Sequence, residues 1–215
     1  MCGIVAYIGS EEAKPVLLEG LKRLEYRGYD SAGIAMLNGG LHVARTVGRV
    51  RVLEQKIDGD EHFVGTIGIA HTRWATHGPV TEANAHPHRD DAKTGHGIVL
   101  VHNGIIENYQ SLRTYLVDRG HTFTSETDTE VLTHLIGELY EDDLAAAVRA
   151  ALREVEGAYA IAVMCEEEPE ILVAARRGSP LLIGVGEHGY IVASDAQAIV
   201  GHTSRAVELD EDIVA

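Results

Sequence analysis

The chain has 215 residues, 45% of them hydrophobic, enough for one substantial core or at most two small ones. Its formal net charge of −15, from 33 acidic and 18 basic residues, repels phosphate backbones and anionic lipid surfaces, which argues against a nucleic-acid or membrane partner. No run approaches the roughly 18 consecutive apolar residues of a membrane span. The apolar run at 4–8 is too short for a signal peptide, and no basic region precedes it. Two cysteines, Cys2 and Cys165, make no disulfide framework and read as reduced thiols, so a cytoplasmic location is expected. Excess acid with only four lysines (Lys14, Lys22, Lys56 and Lys93) fits a salt-rich cytoplasm, and equally fits drift in a GC-rich genome.

In chain order, 2–8 reads as a buried strand, followed by a helix over 11–24 with Ser10 as its cap and Pro15 near its first turn. Strands at 32–37 and 41–47 flank Asn38-Gly39-Gly40, a hairpin signal. A short helix at 50–57 and a strand at 66–72 follow. Residues 73–94, rich in His, Pro, Asn and Asp, lack periodicity and read as a long loop of the kind that often carries function. A strand at 98–102 leads to helices at 108–119, 128–139 and 144–155, with capping chemistry in Ser125-Glu126-Thr127-Asp128. Strands then follow at 158–165, 170–175, 181–185 and 189–193. Strands, then helices, then strands argue against an alternating parallel sheet and for an α+β fold of two antiparallel sheets covered by helices. The strand–turn–strand pattern at 206–215 stops inside its second strand, which reads as a piece of a longer chain.

Met1-Cys2-Gly3-Ile4 puts a cysteine directly after the initiator. Removal of Met1 would give one residue both a thiol and an α-amine, whose ordinary pKa of about 7.7–8.0 suits a base near neutrality. The other reading of Cys2 is a small buried residue starting a strand. Arg27-Gly28-Tyr29-Asp30-Ser31-Ala32-Gly33 follows the first helix, and His71-Thr72-Arg73-Trp74-Ala75-Thr76-His77-Gly78 ends a strand. His102-Asn103-Gly104-Ile105-Ile106-Glu107-Asn108 ends another, and Ser125-Glu126-Thr127-Asp128-Thr129-Glu130 opens a helix. In this order the segments resemble the class II glutamine amidotransferases, whose amidase domains are N-terminal nucleophile hydrolases. The similarity runs from Cys2 to the end of the chain, through Gly178-Ser179-Pro180-Leu181 and Ala193-Ser194-Asp195, with Ala6 and Arg177 as small departures.

The resemblance implies a four-layer α/β/β/α sandwich and hydrolysis of L-glutamine to L-glutamate and ammonia through a thioester on Cys2. Such chemistry needs a nucleophile, a base and donors for an oxyanion. The resemblance gives Cys2 the first two roles, and gives the third to the Asn103 side-chain amide with the Gly104 N–H. On its own Asn103-Gly104 reads as an ordinary turn. Glutamine also carries an α-carboxylate, for which Arg73 offers a bidentate fork, and an α-ammonium, for which Asp128 offers an anion. Asp128 reads alternatively as a helix cap. The resemblance adds Thr76 and His77 at the carboxylate end and a gating role for Trp74, whose other reading is a core aromatic. Arg27 either orients the nucleophile's surroundings or serves the fold.

Among the twelve histidines, His71, His77, His86, His88, His96 and His102 match no zinc spacing, so no metal and no cofactor is expected. Cys165 reads as inert core. The members most resembled carry a C-terminal sugar-isomerising domain, lacking from this sequence, to which ammonia would pass for transfer to fructose 6-phosphate; the longer chain would be a homodimer. The alternatives are another acceptor, such as phosphoribosylpyrophosphate or aspartate, and a non-catalytic glutamine-binding module that retains Met1.

Overall fold

The computed structural model describes residues 2–75, 78–90 and 94–215. Their elements run β1 (Gly3–Gly9), α1 (Ala13–Leu24), β2 (Ser31–Leu37), β3 (Leu41–Val47), α2 (Val50–Lys56), β4 (Ile67–Arg73), β5 (His88–Asp90) and β6 (Ile98–Ile106). Then come α3 (Tyr109–Val117), α4 (Asp128–Glu138), α5 (Leu144–Arg153), β7 (Gly157–Cys165), β8 (Leu172–Arg177), β9 (Leu182–Val185), β10 (Gly189–Ala193) and β11 (Ala206–Glu208). One sheet has the order β11-β9-β10-β1-β4-β2-β3 and the other β5-β6-β7-β8. Neighbouring strands are antiparallel throughout both.

Alternation along the strands builds the layers. On β1, Val5 and Tyr7 pack with Leu17, Leu21 and Leu24 of α1, while Ile4 and Ala6 turn to the opposite sheet. On β6, Ile98 and Leu100 join Val131, Leu132 and Leu135 of α4, while Val99 and Val101 turn inward. The result is the four-layer α/β/β/α sandwich. It explains why antiparallel strands here read as continuous apolar runs: both faces are covered. Leu17, Leu21 and Leu24 recur at helical spacing and are fully buried, each contributing about 1.5–3 kcal/mol.

Several local expectations are corrected. The helix expected from residue 11 begins at Ala13 with Glu12 before it and no side-chain cap; the Ser10 hydroxyl instead donates to the His188 carbonyl at 3.2 Å. The loop expected over 73–94 contains β5, whose His88 and Asp90 pair with Leu100 and Ile98. Three residues are too few for alternation to register. The strand expected to stop at 102 continues to Ile106, so Asn103 and Gly104 lie inside β6, opposite Ala160 and Tyr159. The turn reading of that pair falls. The second C-terminal strand reduces to a single bridge between Val214 and Ala175. The Asn38-Gly39-Gly40 hairpin forms as expected, closing with Leu37 opposite Leu41.

Candidate active site

The start of β1, the end of β4, the second half of β6 and the start of α4 converge here. The β1–β4 register sets Gly3 opposite Thr72, which brings Cys2 beside the chain leaving Arg73. The Trp74 N–H donates to Cys2 Sγ at 3.2 Å, and the thiol reaches the Trp74 carbonyl at 3.5 Å. Burial pushes the Cys2 thiol above its ordinary range, opposed by the Trp74 N–H and the Arg73 charge.

From the other sheet, the inward-facing row Val99, Val101, Asn103 brings a polar residue to the same end. Asn103 Nδ2 donates to the Cys2 carbonyl at 3.3 Å, and Asn103 Oδ1 meets His71 Nε2 at 2.9 Å. Gly104 has φ +134°, and a Cβ there would lie 2.0 Å from the Ala158 carbonyl oxygen, so only glycine fits.

Asp128 is the first residue of α4. Thr127, not Asp128, caps that helix, its hydroxyl accepting from the Glu130 N–H at 3.2 Å. The capping reading of Asp128 therefore fails. Asp128 Oδ2 instead accepts from the Ile106 N–H at 2.8 Å and is held at the end of β6. Glu130 turns away, accepting from the backbone N–H groups of Thr124 and Ser125 at 2.9 and 2.7 Å.

Cys2, Arg73, Trp74, Asn103, Gly104 and Asp128 all line one cavity of about 500 Å³. That size is ordinary for a small-molecule site. The buried Arg73 guanidinium lies 4.0 Å from Asp30 Oδ1. Asp30 also accepts from the Ser31 hydroxyl at 2.8 Å and from the Ala75 N–H. Arg27 lines the cavity too, donating to the Ser194 carbonyl at 3.1 Å and lying 3.4 Å from Asp195. Ser194 in turn accepts from the Ile4 N–H at 3.0 Å, so Arg27 braces the start of β1. Trp74 is 54% exposed, which excludes the core-aromatic reading. Its ring sits over Gly28, where a Cβ would come within 2.6 Å of it. Thr76 and His77 lie outside the described residues.

Sequence reasoning gave no role to several buried groups in and behind the cavity wall, of which His86, His102 and Thr129 line the cavity itself. His86 Nε2 and His102 Nδ1 both meet the Thr129 hydroxyl at 2.9 Å, and the His71 and His86 rings pack with centroids 4.2 Å apart. Burial lowers His71 to about 3 and holds His86 and His88 well below the usual histidine value, so all three are neutral at pH 7. The available signal was alternation: Ile67, Ile69 and His71 share the inward face of β4, as Val99, Val101 and Asn103 share that of β6.

Outside the cavity lining, His121 and His134 meet Nδ1 to Nδ1 at 3.0 Å, and His121 Nε2 lies 2.9 Å from Glu138. With Asp90 they form a buried group of metal-ligand type that sequence spacing did not suggest. The ring contact is itself of hydrogen-bond length. Cys165 is fully buried, its thiol donating to the His96 carbonyl at 3.3 Å.

Residues 54–215 match the glutamine amidotransferase domain family. The chain is 53% identical over 204 residues to the glutamine–fructose-6-phosphate aminotransferase (isomerizing) of Clostridium tetani, covering 94% of this chain and 33% of that protein. The Streptomyces coelicolor protein of the same name is 50% identical over 217 residues, covering 100% of this chain and 35% of that one. The chain thus spans about a third of the length of the curated relatives it matches. Among solved structures, glutamine phosphoribosylpyrophosphate amidotransferase from B. subtilis, complexed with ADP and GMP, superposes with a TM-score of 0.83 at 30% identity over 98% of this chain and 46% of that one. A glutamine aminotransferase class-II domain protein from Silicibacter pomeroyi, at TM-score 0.64 and 19% identity over 98% of this chain and 92% of that one, shares the fold. With its two-sheet architecture and its family match over most of its length, the chain belongs to the glutamine amidotransferase domain family.

Proposed function

We propose that this chain hydrolyses L-glutamine to L-glutamate and ammonia, with Cys2 as nucleophile. The observation that carries the proposal is the meeting in one cavity of a thiol, an amide donor, a guanidinium and a carboxylate from four separate parts of the chain. Removal of Met1 frees the Cys2 α-amine. That amine takes the thiol proton as Sγ attacks the amide carbon, and returns it to the departing nitrogen, which leaves as ammonia. Water then cleaves the thioester to glutamate and restores the thiol. Asn103 Nδ2 and the Gly104 N–H stabilise the oxyanion. Arg73 holds the substrate α-carboxylate and Asp128 its α-ammonium, with Thr76 and His77 assigned to the carboxylate end. Trp74, exposed at the cavity rim, covers the bound substrate, and Arg27 orients the nucleophile through Ser194 and the start of β1.

In this proposal residues 1–215 are the glutaminase part of a longer, homodimeric enzyme. A C-terminal isomerase domain there receives the ammonia and transfers it to fructose 6-phosphate. The two relatives above named for that acceptor are 53% and 50% identical, against 30% for the phosphoribosylpyrophosphate amidotransferase, which supports the sugar phosphate as acceptor.

The test is ammonia release from glutamine by the parent chain and by Cys2→Ala, with mass spectrometry of Cys2 after a glutamine-like electrophile. The expected result is activity in the parent alone, with Met1 absent and the electrophile on Cys2. Equal turnover by Cys2→Ala would sink the mechanism.

A further inference from the structure

We infer that His71 is the positioning residue that holds the Asn103 amide with its nitrogen toward the reacting carbonyl. The inference rests on the oxyanion role proposed above for Asn103.

An amide side chain can be turned over with little change in shape, exchanging a donor for an acceptor. At this site one orientation helps catalysis and the other opposes it, because Oδ1 facing a developing oxyanion would repel it. The surroundings decide between them. The Cys2 carbonyl is an acceptor only, and it lies 3.3 Å from Asn103 Nδ2, so the nitrogen must face Cys2. The oxygen then faces His71 Nε2 at 2.9 Å. That contact is attractive only if Nε2 carries the hydrogen, which fixes the tautomer as well as the amide. The amide nitrogen has two hydrogens. One is directed at the Cys2 carbonyl, which leaves the second for a group in the cavity.

His71 is well placed to impose this. It is fully buried and lies on β4, an interior strand of its sheet, opposite Ile4 of β1 and Gly33 of β2. Its ring packs against that of His86, which is tied through Thr129 to α4. Burial keeps the ring neutral, so its hydrogen-bonding pattern does not change near pH 7. A donor fixed on a rigid strand is a better support than one on a loop.

The test is a double-mutant cycle between His71 and Asn103 in the 215-residue chain, read as kcat and KM for glutamine hydrolysis. His71→Leu should lower kcat about ten-fold, the scale of one lost neutral hydrogen bond, and leave KM within about two-fold. On the Asn103→Ala background the same change should add nothing, since there is no amide left to orient. His71→Gln, which retains an N–H donor, should recover part of the loss. Iodoacetamide labelling of Cys2, which forms no oxyanion, should be unchanged in every folded variant.

An equal loss from His71→Leu in both backgrounds would mean a general packing role and overturn the inference. So would unchanged kcat in His71→Leu. If His71→Leu does not fold, His71→Gln and its cycle with Asn103→Ala carry the same decision: kcat between those of parent and Asn103→Ala, and no effect on the Asn103→Ala background, is the supporting result. Additive loss there overturns the inference. Full kcat in Asn103→Ala itself would remove the oxyanion assignment and this inference with it, and the single mutant identifies that case.

Discussion

Asp128 serves two masters, and substitutions can separate them. Its Oδ2 accepts from the buried Ile106 N–H at 2.8 Å, a structural bond, and its charge is assigned to the substrate ammonium. Asp128→Ala removes both. The Ile106 N–H then has no acceptor in a site where Asp128 is only 6% exposed, and a lost hydrogen bond to a charged group is worth about 1.5–3 kcal/mol. For a domain of this size each kcal/mol moves Tm by about 2–4 °C, so Asp128→Ala should melt about 3–12 °C lower. Asp128→Asn keeps an acceptor oxygen for Ile106 and should melt close to the parent. It loses the charge, however, and presents an N–H₂ group to the ammonium. Removing one partner of a buried charge pair costs about 2–5 kcal/mol, so KM for glutamine should rise about 30-fold to several thousand-fold. Ammonia release should be measured for glutamine and for glutaramate, which is glutamine without its α-amine. Asp128→Asn should spare glutaramate and penalise glutamine. Equal penalties on both substrates, or none on either, would refute the assignment of Asp128 to the ammonium.

Gly104→Ala should fail to reach the native fold, because its Cβ would sit 2.0 Å from the Ala158 carbonyl oxygen at a φ of +134°; a variant that melts like the parent would contradict that geometry. Stability should fall as pH drops below 6.5. His71 is lowered from 6.5 to about 3, so the unfolded chain binds a proton that the folded chain refuses, and stability present above pH 6.5 is lost progressively down to about pH 3. His71 alone should cost about 2 kcal/mol by pH 5, and His86 and His88, also lowered by burial, act in the same direction. Urea unfolding at pH 7.5 and pH 5 measures this, and equal free energies at the two would contradict it.

Sequence alone carried the order of elements, the Asn38-Gly39-Gly40 hairpin and the segments that hold the candidate site. These depend on local signals: apolar period, turn residues and contiguous motifs. The family was legible for the same reason, since its motifs are runs of adjacent residues. Where local signals were weak, the reading erred. Ser10 has the chemistry of a helix cap, but the His188 carbonyl, 178 residues away, takes its hydroxyl. Asn103-Gly104 has the composition of a turn, yet pairing with β7 extends β6 through both residues. The trio β5 is a strand only because β6 lies beside it.

What the tertiary structure decided is which polar groups face one another. In the sequence Asp128 could be an anion for the substrate ammonium or a helix cap; the fold removes the cap, because Thr127 caps α4 and Asp128 holds the end of β6. His71 and Asn103 are 32 residues apart on strands of different sheets, and their 2.9 Å contact exists only because both rows of side chains point into the layer between the sheets. Alternation along each strand can be read from the sequence, but the distance and register between two sheets cannot. Those are set by how the apolar middle layer packs, and that packing is a property of the whole fold.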